Sequence, residues 1–172
     1  MQYITTTDLA DLPGAVELAQ VATATHQRVV ADSLMEATLR NTDRTEFDAD
    51  DIAVADDALA RITAAVAQAE ALIDGYLVKR GYNVPLATVP LLVTGWTRDI
   101  ARYYLHKDRL SAEGTDPILR GYRDAMKLLQ QIVEGKFSLG GNDPVATSPN
   151  KLDVRFNYDT KAFSRRELKA FR

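Results

Sequence analysis

The strongest constraint on the fold is one apolar stripe in the middle of the chain. Leu59, Ile62, Val66, Ala69, Ile73, Tyr76 and Leu77 recur at three-to-four spacing, the period at which side chains return to one face of an α-helix. The stripe runs for about six turns. Asp56 or Asp57 suits the N-cap, Lys79 and Arg80 complement the C-terminal dipole, and Gly81 suits the left-handed residue that closes the helix. A helix with one apolar face must bury it, so partner helices are required.

Two further helices follow the same grammar. Pro90 fits a first turn at no cost in hydrogen bonds, and Leu91, Leu92, Trp96, Ile100, Tyr103 and Tyr104 lead on to about His106. Apolar residues on more than one face predict that this helix is the most buried. Residues 82–89, with Pro85 among them, form a tight connection. After a loop over 108–115, Asp116-Pro117 reads as a cap and a first-turn proline. The helix it opens carries Ile118, Tyr122, Met126, Leu129 and Val133 and stops at Gly135. Three helices on short links predict an antiparallel bundle. Upstream, Thr5-Thr6-Thr7-Asp8 offers caps for a short helix interrupted at Pro13-Gly14. Residues 15–24 and 31–40 read as further helices, and 41–55 as an exposed acidic loop.

The C-terminal end changes character. Residues 138–150 contain Gly140-Gly141, Asp143-Pro144 and Ser148-Pro149, the chemistry of a linker. Leu152, Val154, Phe156 and Tyr158 then alternate with Asp153, Arg155, Asn157 and Asp159, the period of a strand with one apolar face. Ser164-Arg165-Arg166-Glu167 follows as a capping box, with Phe163 and Leu168 at the two positions of a hydrophobic staple. A lone strand cannot satisfy its own backbone, and so short a segment cannot bury Phe156, Tyr158, Phe163 and Phe171 unaided. It either folds back on the bundle or completes a neighbouring chain. The expected fold is therefore mainly α, a helical body over 1–137. An extended segment over 138–172 follows it and ends in a strand and a short helix.

The chain of 172 residues has no cysteine and two histidines. That excludes a disulfide scaffold, a thiolate nucleophile and Cys-containing metal sites, and it leaves little for a histidine-based centre. No apolar run approaches the roughly 18 residues of a membrane span. Met1-Gln2-Tyr3-Ile4-Thr5 lacks the basic and apolar regions of a signal peptide, so a soluble intracellular protein is expected. Glycine-rich phosphate loops, the zinc-protease helix motif and the Gly-x-Ser-x-Gly elbow do not occur. Asp48-Ala49-Asp50-Asp51-Ile52 superficially looks like a calcium loop. It has Ala53 where glycine is required and Leu59 where the last carboxylate belongs. Asp99, between Arg98 and Arg102, reads as half of a helix-surface ion pair with Arg102. His106 reads as a dipole partner, and Trp96, Tyr103 and Tyr104 as core. No metal, cofactor or enzymatic activity is expected.

The net charge of −3 is unevenly spread. Asp43, Glu46, Asp48, Asp50, Asp51, Asp56 and Asp57 stand against a single base, Arg44. Residues 151–172 carry Lys151, Arg155, Lys161, Arg165, Arg166, Lys169 and Arg172 against three acids, which makes the tail +4 and the rest of the chain −7. Opposite patches on identical subunits can meet. Cations interleaved with Phe163 and Phe171 also suit a small regulatory nucleic-acid-binding protein. Against that, the acidic body repels phosphate and no helix-turn-helix precedes the tail. A tail anchored on another protein by Arg and aromatic residues is the better-supported reading.

Several segments resemble one family when taken in order. They are Tyr3-Ile4-Thr5 with Asp8-Leu9, Ile73-Asp74-Gly75-Tyr76-Leu77, Pro85-Leu86 with Val89-Pro90-Leu91-Leu92, and Asp99-Ile100-Ala101-Arg102-Tyr103. Tyr122, Ala125 and Leu129 follow, then residues 132–135 and Leu139-Gly140, and finally Phe163-Ser164-Arg165 with Leu168 and Phe171. The pattern is similar to the Mu-like bacteriophage head–tail joining family, relatives of the adaptor (head-completion, connector) proteins of long-tailed phages. It covers residues 1–12 and about 57–172. Between about 23 and 56 the chain is longer and more acidic than the family pattern.

The resemblance implies a helical adaptor in the virion neck, made in the bacterial host cytoplasm. Such adaptors form a ring of about twelve copies beneath the portal protein, with a stopper or tail-completion protein on the other side and packaged DNA passing through the lumen. By the same resemblance, Phe163, Ser164, Arg165, Leu168 and Phe171 belong to a portal-docking segment. We extend that segment to its neighbours Phe156, Tyr158 and Arg166. Ile73, Tyr76, Pro85, Pro90, Asp99, Arg102 and Tyr103 are implied fold-maintaining positions, with Trp96 beside them. Asp48, Asp50 and Asp51 are expected to face the lumen.

Overall fold

The computed structural model describes residues 1–109 and 116–140, and every regular element among them is helical. The expected C-terminal strand and terminal helix lie outside the described residues. Helices α1 (Thr6–Leu9), α2 (Ala15–Ala22) and α3 (Asp32–Arg40) precede a long α4 (Ala49–Arg80), which is followed by α5 (Leu91–His106) and α6 (Pro117–Val133). A π-helical turn, Ala10–Gly14, joins α1 to α2 and contains a cis Leu12–Pro13 bond.

Capping chemistry decides most of the boundaries. Thr5 accepts from the Asp8 N–H at 3.1 Å, and the Asp8 carboxylate accepts from the Thr5 N–H at 2.9 Å, a reciprocal capping box that opens α1. Asp116 caps α6 by accepting from the Ile118 N–H at 2.8 Å, with Pro117 in the first turn. Gly81 ends α4 at φ 97°, the left-handed conformation that glycine adopts without a Cβ clash.

The acidic stretch is the main correction. Residues 49–55 are not a loop: α4 begins at Ala49, with Asp48 at the N-cap position, about two turns before Asp56. Alanines favour helix there, and Asp50 and Asp51 in the first turn complement the positive end of the dipole. Ala55 is fully buried, and Ile52 and Val54 pack against the core. The stretch is held from outside as well: Arg44 Nη1 pairs with Asp56 Oδ1 at 2.5 Å.

Helices α4, α5 and α6 pack against one another, while α2 and α3 pack together and against α4. Arg61 on α4 donates to the Ala22 carbonyl at 2.7 Å, and Gln27 donates to Asp57 at 3.3 Å, so the α2–α3 pair sits on the first half of α4. Helices α5 and α6 are antiparallel. Tyr103, late in α5, stacks on Tyr122, early in α6, and Trp96, earlier in α5, meets Phe137 beyond the end of α6. Ile62, Val66, Ala69, Ile73 and Leu77 are buried along α4, as the stripe requires.

The N-terminal residues are built into this core. Glu70, only 6% exposed, accepts the Gln2 and Tyr3 N–H groups at Oε1, at 2.6 and 2.9 Å. Thr94 Oγ1 on α5 donates to the Tyr3 carbonyl at 2.9 Å. The Tyr3 hydroxyl donates to Asp74 Oδ1 and accepts from the Leu86 N–H. Burial first, and donation to Asp74 second, push the Tyr3 phenol far above its ordinary pKa.

Candidate functional site

The residues read as fold-maintaining lie along the α4–α5–α6 unit. Ile73 is fully buried, Trp96 is buried, and Tyr76 is half-buried with Lys79 Nζ 5.4 Å from its ring centroid. Pro85 is exposed and follows a cis bond, and Pro90 occupies the N-cap position of α5. Asp99 faces α6 so closely that a Cβ on Gly121 would stand 3.5 Å from its Cγ. Burial raises the Asp99 carboxyl against the pull of Arg98 and Arg102.

Arg102 does not form the expected pair with Asp99. It turns to Glu17 on α2, with Nε on Oε1 and Nη2 2.6 Å from Oε2, and His106 Nε2 lies 2.9 Å from the same Oε1. Two parallel bonds make the Glu17 pair bidentate, the stronger form of an arginine–carboxylate contact. Burial works to raise the Glu17 carboxyl. The hydrogen bonds from Arg102 and His106 outweigh it and hold the group below its usual range. This cluster ties α2 to α5, and Glu17 carried no sequence signal that singled it out.

Tyr103 and Tyr104 are half-buried, not core. Tyr103 stacks on Tyr122 with centroids 3.9 Å apart and planes 13° apart, and Tyr104 tilts against both rings. Leu91 and Leu92, read as part of a buried run, are 90% and 41% exposed, and they are the two exposed residues of an otherwise buried or half-buried α5. Only the first two residues of α5 face out; Val93, the third, is fully buried.

Asp48, Asp50 and Asp51 are exposed on the first turn of α4. Phe156, Tyr158, Phe163, Ser164, Arg165, Arg166, Leu168 and Phe171 lie outside the described residues. Among the described residues no group of three or more His, Asp or Glu side chains is placed to hold a metal ion, and no helix is long and apolar enough to cross a membrane.

The surface feature that sequence reading missed is the outer face of α4. Ala60, Ala64, Ala67, Ala71, Gly75 and Val78 are all exposed, at the same three-to-four spacing as the core stripe but two positions out of phase. Two positions are about 200° of rotation, which is the opposite side of the helix. Arg61, Glu70 and Asp74, the charges within that span, are directed to α2 and to the N-terminal residues. A solvated helix face normally carries charge. This one offers small, uncharged side chains against which another helix can pack closely.

Fold and surface together define, among the described residues, a helical body with an exposed face of small side chains on its longest helix. The model of the family described as Bacteriophage Mu, Gp36 matches residues 3–157, and the chain belongs to that family. It is similar to gene product J of Escherichia phage Mu, with 36% identity over 113 residues, 65% of this chain and 75% of the relative. It is also similar to the Mu-like prophage FluMu protein gp36 of Haemophilus influenzae, with 31% identity over 112 residues, 65% of this chain and 76% of the relative.

Proposed function

We propose that this chain is a neck adaptor, a structural protein that joins the portal vertex of a filled phage head to the tail. The observation that carries the reading is the uncharged outer face of α4, which within a family of phage proteins is best explained as a contact between repeated copies. Copies related by rotation make a heterologous contact that closes into a ring. Ala60, Ala64, Ala67, Ala71 and Gly75 let a neighbour's backbone approach closely.

In this reading residues 1–137 form the ring body and residues 138–172 dock on the portal protein. Phe156, Tyr158, Phe163, Leu168 and Phe171 are the apolar anchors of the docking segment, and Ser164, Arg165 and Arg166 are its polar contacts. Asp48, Asp50 and Asp51 face the channel, where carboxylates keep DNA phosphates from sticking. Packaged DNA passes without being recognised, and the far side of the ring receives the stopper or tail-completion protein. The work is adhesion and alignment in the virion neck; no bond is made or broken. A chain lacking residues 150–172 is expected to keep its helicity and lose portal binding. Undiminished binding by that truncation contradicts the docking role.

A further inference from the structure

The α4–α5 connection and the end of α6 meet at one pole of the bundle. The Leu139 N–H donates to the Tyr82 hydroxyl at 3.2 Å, and Phe137 meets Trp96 edge-on at 6.3 Å. The Arg80 guanidinium lies against Gly135, where an added Cβ would come within 2.7 Å of Nη1. Gly140, where the described residues end, therefore lies at this pole.

Leu91 stands at the same pole, five residues before Trp96 and thus about 7.5 Å from it along the axis of α5. It is 90% exposed, Leu92 beside it is 41% exposed, and Val78 in the last turn of α4 is 55% exposed. Single exposed apolar side chains are ordinary. A leucine pair with nearly the whole of one side chain in solvent, at the root of a segment that needs a partner, is not. Pro90 offers α5 no side-chain cap, and the Val93 N–H donates to the Pro90 carbonyl at 2.9 Å, which leaves the Leu91 and Leu92 N–H groups for an outside acceptor.

Chain length says which partner can reach this pole. Ten residues, 141–150, separate Gly140 from Lys151, and fully extended they span at most about 35 Å. A protein gripping the segment from Leu152 onward is thus held within about 35 Å of this pole. The acidic start of α4 lies about 45 Å away along the helix.

We infer that Leu91 and Leu92, with Val78 at the same pole, form a second contact for the protein that holds the C-terminal segment. That partner presents an apolar pocket for the leucines, with carbonyl or carboxylate oxygens at its rim for the uncapped N–H groups. This rests on the docking reading above and adds the body's own share in it. The tail supplies reach, and the leucine step fixes the orientation of the body once the tether has raised its local concentration.

The test is binding of full-length chains to immobilised portal rings from the same phage. Leu91→Asp is expected to weaken binding by on the order of tenfold or more, and Leu91→Ala by less. Aspartate is favourable in a first helical turn, so circular dichroism should be unchanged. Val29→Asp, at a residue 52% exposed in the α2–α3 connection, should bind like the wild type. Leu91→Asp binding within about twofold of wild type overturns this inference and leaves tail docking intact. Intact portal binding with lost self-association in Leu91→Asp assigns the step to a second copy and overturns it equally. A wild-type chain that does not bind portal contradicts the docking reading itself, and this inference with it.

Discussion

The Tyr3 hydroxyl donates a hydrogen bond to Asp74, tying the third residue of the chain to the penultimate turn of α4. Together with the Gln2 and Tyr3 N–H groups on buried Glu70, this makes the N-terminal residues part of the bundle. Tyr3→Phe should cost about 1–2 kcal/mol, because it removes a bond to a charged acceptor at a part-buried site. Glu70→Met should cost more, about 2–4 kcal/mol, since two backbone donors lose their acceptor at once. Urea titration followed by circular dichroism measures both, and an unchanged midpoint for Glu70→Met would contradict the clamp.

The Glu17–Arg102–His106 cluster sets an acid limit. The Glu17 carboxyl is held below its ordinary value in the folded chain, so the unfolded chain binds its proton more readily. That contribution to stability is complete above the ordinary carboxylate pKa of about 4.3 and fades as pH falls through the lower, folded value. Glu17→Gln should therefore be less stable than wild type at pH 7, and the gap should narrow as pH falls below about 4. A gap of the same size at pH 7 and pH 3 would show that the carboxylate's charge is not involved.

The outer face of α4 permits a test that separates stability from assembly. Nothing lies within 4 Å of a Cβ built on Gly75, so Gly75→Ala should stabilise the free chain by about 1 kcal/mol, the helix-propensity difference alone. Ala67→Glu, exposed on the same face, should melt like the wild type yet fail to form rings on portal. Ring formation by Ala67→Glu, seen by electron microscopy, would move the subunit contact elsewhere.

How much of this was legible in the sequence depended on whether the signal was local. The core stripe from Ile62 to Leu77, a short-helix cap within Thr5–Asp8, the Asp116-Pro117 start and the Gly81 stop all appear in the structure, because each is fixed by neighbours a few residues apart; that Thr5 is the cap and Asp8 completes the box is new. Dense carboxylates read as loop in a sequence, which puts the start of α4 too late, although at a helix N-terminus they are stabilising. Spacing pairs Arg102 with Asp99 because it sees only one helix. The choice of Glu17 depends on where α2 lands, 85 residues away in sequence. Composition puts Leu91 and Leu92 in the core with Val93, and only the packing of α5 shows that its first two residues face out while the third is buried. The docking residues from Phe156 to Phe171 rest on sequence alone.

The basic tail sets a separate test. If residues 151–172 recognise another protein and not nucleic acid, DNA binding in gel-shift titrations should stay weak and fall away by about 0.15 M salt. Tight, sequence-selective binding at that salt would favour a regulatory nucleic-acid binder instead.

The adaptor reading is tested most directly by the mass of the full-length protein alone and mixed with portal rings, measured by native mass spectrometry. The expected result is a discrete complex in which many copies add to one portal ring, with a fixed stoichiometry that matches the portal's symmetry. Portal rings that keep their own mass in the presence of excess protein would contradict the account.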